Sequence, residues 1–109
     1  ALDPAMTKQN LRGILEITKD RGVPVMLVGM QAPGNYGPDY KANFDALFPD
    51  LAQEYGTLFH IGYLEALRDT PDLSTVLQRD FIHPNAVGVD MIVKDIGPTV
   101  LELISVAQQ

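Results

Sequence analysis

Val23-Pro24-Val25-Met26-Leu27-Val28-Gly29-Met30, "VPVMLVGM", is the stretch on which the fold turns. Val25–Val28 is apolar without alternation. A strand with one face in water alternates apolar and polar residues. A short continuous apolar run fits a strand covered on both faces, as in a parallel sheet between helices. Before it, Asp3-Pro4 is a good helix start, because Asp caps free N–H groups and Pro suits the first turn. Leu11, Ile14, Leu15 and Thr18 follow at helical spacing, and Gly22 is a natural stop after Lys19 and Arg21. The spacing predicts an amphipathic helix over Pro4–Arg21 with Lys8, Arg12, Glu16 and Asp20 on its polar face.

After the strand, "QAPGNYGPDY" (Gln31–Tyr40) holds two Pro, two Gly, an Asn and an Asp. It reads as a loop longer than the usual strand-to-helix connection. In an α/β sheet such loops lie at the C-terminal edge, where ligands bind. The same composition also suits an ordinary surface loop, so Tyr36 either lines a pocket or packs on a rim. From Asp39 the pattern is helical again. Phe44, Leu47, Phe48, Leu51 and Tyr55 make one apolar stripe that reads as core, and Gly56 ends it. "TLFHIG" (Thr57–Gly62) predicts a second short strand containing His60. Tyr63–Gln78 is irregular, with Asp72 or Ser74 as a cap. Val89, Ile92, Val93, Ile96, Val100, Leu101 and Ile104 predict a last amphipathic helix capped by Asn85. Gly97-Pro98 is expected to interrupt and kink it, because Pro98 cannot donate to the carbonyl of Lys94.

Alternating helices and strands imply a parallel α/β sheet with right-handed crossovers. Two strands are too few, however. Val25–Val28 needs neighbours on both sides to satisfy its backbone groups. Either the chain pairs with another, as in a homo-oligomer, or it is the second half of a cut domain.

Composition narrows the function. The chain has 109 residues, enough for one domain or part of one. A net charge of −6, with eight basic residues scattered along the chain, argues against a nucleic-acid partner. The absence of cysteine excludes disulfides and thiolate chemistry. No apolar stretch approaches the ~20 residues of a membrane helix, and no signal-peptide pattern is visible. The opening "ALDPAMTKQN" has no initiator Met and enters a helical pattern almost at once. Processing of the chain, or an absent first half of the domain, would each produce that opening.

The chemistry concentrates in Asp80-Phe81-Ile82-His83-Pro84-Asn85-Ala86-Val87-Gly88, "DFIHPNAVG". One reading makes Asp80 a cap and His83 a polar residue before a helix. The other rests on geometry. Residues three apart in one turn present their side chains to the same side. The Asp80 carboxylate then accepts Nδ1–H of His83, fixes its tautomer and leaves Nε2 outward as a base. Histidine takes and returns protons near neutral pH. Such a pair still needs a hydroxyl nucleophile. The two serines, Ser74 and Ser105, lack the Gly-flanked setting one requires. Asp80, His83 and His60 are the candidates for a divalent ion, but their spacing matches no recognisable metal-ligand pattern.

"DFIHPNAVG" resembles the last block of the SGNH (GDSL-type) hydrolases, D-G-x-H-P-N-x-x-G, with Phe81 in place of the usual Gly. Upstream, the "P-x-N-Y-G-x-x-Y" element from Pro33 to Tyr40 and the following "F…LF..LA.EYG" are similar to the arylesterase, thioesterase and lysophospholipase subgroup. The resemblance covers almost the whole chain. It implies a flavodoxin-like three-layer α/β/α fold and acyl-ester hydrolysis through a Ser-His-Asp triad and a covalent acyl-enzyme. His83 would be the general base and acid, and Asp80 its orienting partner. The Val28–Tyr40 loop would shape the acyl or alcohol pocket, with Pro33, Asn35 and Tyr36 binding substrate. No cofactor or metal is implied.

The family's other catalytic blocks are absent from these residues: G-D-S-L with the nucleophile, the block carrying the oxyanion-hole Gly, and G-x-N-D with the oxyanion-hole Asn. In the family all three lie upstream. The resemblance therefore makes residues 1–109 the C-terminal part of a single SGNH hydrolase domain. Its partner would be the N-terminal fragment of the same protein, carrying the nucleophilic Ser. The isolated chain is expected to be inactive and without a stable fold. Relatives of this kind favour a periplasmic or secreted location. The alternative reading is a non-catalytic binding or structural α/β module.

Overall fold

A computed structural model describes residues 2–109. Helix α1 (Pro4–Asp20) begins where the Asp3 carboxylate accepts the N–H of Ala5 at 2.9 Å, and Arg21 and a left-handed Gly22 end it. Strand β1 (Met26–Val28) follows, then a single 3-10 turn at Gly34–Tyr36. Helix α2 (Pro38–Tyr55) opens on proline and stops at Gly56, whose φ of 64° only glycine adopts freely. Strand β2 (Leu58–His60) leads to two 3-10 segments, Tyr63–Leu67 and Leu73–Thr75. Asp72, not Ser74, caps the second, its carboxylate accepting the N–H of Ser74. Helix α3 (Ala86–Ala107) closes the chain, and Asn85 caps it through the N–H of Gly88.

The two strands are parallel, with Met26, Leu27 and Val28 in register with Leu58, Phe59 and His60. Both are shorter than the apolar runs predicted them. Among the described residues the sheet has these two strands and β1 has no second neighbour. Leu27 and its register partner Phe59 turn toward one cluster, Leu15 of α1 with Leu47, Phe48, Leu51 and Ala52 of α2. One residue further along β2, His60 turns the other way and meets Asp95 of α3, as strand alternation requires.

Two expectations for the helices change. Gly97-Pro98 does not interrupt α3, which runs unbroken past both residues. One missing N–H removes one hydrogen bond of a ladder, and the neighbouring turns carry the helix through. Nor does the apolar stripe of α3 all face inward. Ile92 and Ile96 are half-buried, whereas Val89, Val93, Val100, Leu101 and Ile104 are exposed. On α1, Leu15 is buried but Ile14 and Ile17 are exposed.

The shape is flat, with extents of 44 × 36 × 18 Å. Its radius of gyration is 15.6 Å, against about 13 Å for a closed domain of this length. It exposes 7457 Å², where a compact chain of its mass would expose about 6,000 Å².

Candidate active site

The segment Val76–Gly88 is a closed turn held from both ends. An isolated antiparallel bridge pairs Leu77 with Pro84. The N–H of Gln78 donates to the His83 carbonyl at 2.7 Å, and that of Asn85 donates to the Val76 carbonyl at 2.9 Å. The Asn85 side chain serves both strands of the turn. Its amide donates to the carbonyls of Thr75 and Leu77 while its oxygen caps α3. Gly88 lets α3 come close, because a Cβ there would lie 2.2 Å from the Val76 carbonyl oxygen. The Asn and Gly of the motif are thus parts of one clamp. At the tip Phe81 has φ of 56°, the one described non-glycine residue with positive φ.

This clamp presents the pair. Asp80 Oδ2 lies 2.6 Å from His83 Nδ1. Asp80 Oδ1 accepts the backbone N–H groups of Ile82 and His83 at 2.9 and 3.0 Å. An ionised carboxylate only accepts, so Nδ1 carries the hydrogen and Nε2 of the neutral ring is an acceptor. The hydrogen bond from His83, then those from the two N–H groups, hold the Asp80 carboxyl down at about 2. The His83 side chain is 69% exposed, and Nε2 has no hydrogen-bond partner among the described residues.

Beside the turn lies a cavity of about 550 Å³. Its walls come from the residues just after β1 (Gly29, Met30), those just after β2 (Ile61), Leu67, and the turn itself (Phe81, Ile82). It sits at the C-terminal edge of the parallel strands, where open α/β sheets bind ligands. The two strand ends meet closely there: a Cβ on Gly29 would lie 2.5 Å from the Ile61 carbonyl oxygen. Ala32, in the loop after β1, is buried and fastened to α2, its N–H donating to Asp45 at 2.7 Å and its carbonyl accepting from Lys41 at 3.0 Å.

The other candidates fall elsewhere. Pro33 precedes the 3-10 turn and Asn35 lies within it; both are exposed, and neither lines this cavity. Tyr36, also outside it, starts an aromatic ladder through Tyr40 and Phe44 to Phe48, with centroids 5.1, 6.1 and 5.5 Å apart. Of the Val28–Tyr40 loop, Gly29, Met30 and Gln31 line the cavity; Ile61 is a lining residue that sequence reading missed, and its place just past β2 was the available signal. The ring of His60 bonds Asp95 at 3.0 Å through Nε2 and accepts the N–H of Gly62 through Nδ1, apart from the Asp80–His83 pair. Among the described residues no three His, Cys, Asp or Glu side chains gather as metal ligands. The Ser74 hydroxyl donates to Asp72 at 2.6 Å, and Ser105 is exposed near the end of α3.

No protein-family model matches the chain, but individual proteins do. Esterase TesA of Pseudomonas aeruginosa is 29% identical over 101 residues, 93% of this chain and 49% of the relative. Thioesterase 1/protease 1/lysophospholipase L1 of Escherichia coli is 34% identical over 82 residues, 75% of this chain and 38% of the relative. The crystal structure of AlinE4, an SGNH-hydrolase family esterase, matches with a TM-score of 0.65 at 42% identity, over 93% of this chain and 52% of that one. The crystal structure of TesA matches with a TM-score of 0.76 at 28% identity, over 94% and 55%. The chain spans about half the length of the curated relatives it matches, or less. The chain is thus similar to esterases and thioesterases in sequence and to SGNH-hydrolase family esterases in its α/β fold.

Proposed function

We propose that the whole protein hydrolyses acyl esters through a Ser-His-Asp triad, and that this chain supplies the histidine and the acid. Residues 1–109 are then the C-terminal part of one flavodoxin-like, three-layer domain. The serine and the oxyanion-hole donors come from an N-terminal segment that packs along β1. The observation that carries the reading is the Asp80–His83 pair. Its contact is 2.6 Å, its Nε2 has no partner among the described residues, and an apolar cavity lined by the intervening Phe81 and Ile82 opens beside the turn.

The chemistry follows from that arrangement. Nε2 of His83 takes the proton of the serine hydroxyl as its oxygen bonds the acyl carbon. The imidazolium so formed is held by the Asp80 carboxylate. It returns the proton to the alcohol oxygen as the C–O bond breaks and the alcohol leaves. Water then repeats the sequence on the acyl-enzyme, giving the carboxylic acid and restoring the serine. Oxyanion donors contribute about 3–4 kcal/mol each. Asp80 and His83 cannot replace them, so this chain alone is expected to be inactive. A thioester follows the same steps, with a thiol leaving.

The deciding experiment is His83→Ala in the intact protein, assayed on p-nitrophenyl acetate and butyrate. The expected loss in kcat is about 10⁴-fold or more. Full activity in that variant ends the proposal.

A further inference from the structure

We infer that Phe81 is a specificity-determining residue, its ring forming the wall of the cavity beside His83 against which the apolar chain of the ester lies; this rests on the hydrolase reading above. Three observations meet at this residue. Phe81 lines the cavity together with Ile82, Met30 and Ile61. The residue is 60% exposed, so no described core residue packs over it. Its backbone holds a left-handed conformation, φ 56°, that a bulky L-residue adopts rarely. Strain of this kind persists where the surroundings over-determine it, and it clusters at ligand sites.

The surroundings here do over-determine it. The N–H of Phe81 donates to the Gln78 carbonyl at 3.0 Å on one side. On the other side the Asp80 carboxylate grips the N–H groups of Ile82 and His83. The same hydrogen bonds that orient the histidine therefore aim the ring. An ester in this cavity with its carbonyl at His83 would meet Phe81 near the scissile bond, because Phe81 lines the cavity and lies between Asp80 and His83 in the chain. The part met there is either the acyl chain or the alcohol, both apolar in aryl and alkyl esters.

The test uses the intact enzyme and its Phe81→Gly and Phe81→Leu variants. The quantity measured is kcat/KM on two substrate series. One varies the acyl group of p-nitrophenyl esters from acetate to laurate. The other keeps acetate and varies the alcohol from ethyl to naphthyl. Phe81→Gly is expected to move the long-to-short or large-to-small ratio by about tenfold or more, the size of effect an apolar pocket gives. Phe81→Leu should fall between. The series that moves tells which part of the ester the ring touches. Ratios within twofold of wild type in both series, with hydrolysis retained, overturn the inference. So does a variant that loses thermal stability without changing either ratio, because Phe81 would then be packing against the rest of the protein. Should Phe81→Gly not fold, Phe81→Leu and the inhibition constant of decanol on wild type and Phe81→Leu decide the same point. A wild-type enzyme that hydrolyses neither series removes the esterase reading and this inference with it; loss of activity in His83→Ala alone leaves the two distinguishable.

Discussion

At the scale of single residues, the acid and the imidazole are built by one turn of chain. Asp80 makes three hydrogen bonds, and two of them are to the backbone of its own turn. Its role is therefore to set the ring's tautomer and to hold the turn closed. Its pKa is lowered from 3.8 to about 2. A carboxyl depressed in the folded state contributes stability above its unfolded value. That contribution is present above pH 3.8 and is lost as pH falls through about 2. The amide shifts of Ile82 and His83 are expected to titrate with a midpoint near 2; a midpoint near 3.8 would show that the grip is absent. Asp80→Asn keeps the shape but removes the ionised acceptor, and in the whole enzyme it should lower kcat by about 10³–10⁴-fold. Phe81 costs the turn about 1–2 kcal/mol as a left-handed residue. The three bonds of Asp80 to its neighbours offset that cost.

At the scale of elements, α3 is the fixed post to which the turn is tied. Two glycines give opposite predictions. A Cβ on Gly88 would sit 2.2 Å from the Val76 oxygen and 3.2 Å from Pro84 Cβ. Gly88→Ala must push α3 away from the turn, and about 1–3 kcal/mol of destabilisation is expected. Gly13, inside α1, has nothing within 4 Å of its missing Cβ. Gly13→Ala should stabilise by up to about 1 kcal/mol through helix propensity alone. Thermal melts of the two variants in the intact protein check both signs, and a stabilised Gly88→Ala would disprove the clamp. Activity should fall with Gly88→Ala and stay level with Gly13→Ala, because only Gly88 sits beside the turn that carries Asp80 and His83.

At the scale of the whole molecule, the apolar residues outnumber the places to bury them. Helix α3 shows Val93 and Leu101 to solvent on faces that Ile92 and Ile96 do not share, so its apolar surface is wider than the face it buries. That excess of exposed apolar surface fits the proposal that further chain covers it. The open edge of β1, the 18 Å thickness and the excess surface say the same. The isolated 109-residue chain is therefore expected to bind the dye ANS and to self-associate in analytical ultracentrifugation. A monomer with a cooperative melt and no dye binding would favour a self-standing, non-catalytic module instead.

What was legible in the sequence is what local rules control. Helix ends follow from Asp3, Gly22, Asn85 and Gly56, and β1 follows from four apolar residues without alternation. Asp80 and His83 were readable because both partners lie within one turn, where spacing alone dictates geometry. The cavity was not readable, because Met30, Ile61 and Phe81 come from three separate stretches, the first two joined by the parallel register of β1 and β2 and the third carried by the turn that the Leu77–Pro84 bridge closes. The positive φ of Phe81 was hidden as well, since closure of the turn by Gln78 and Asp80 imposes it and the residue's own preference opposes it. Short-range hydrogen bonding determined the Asp80–His83 pair from the chain alone. Long-range strand pairing, which no local pattern encodes, decided what stands beside it.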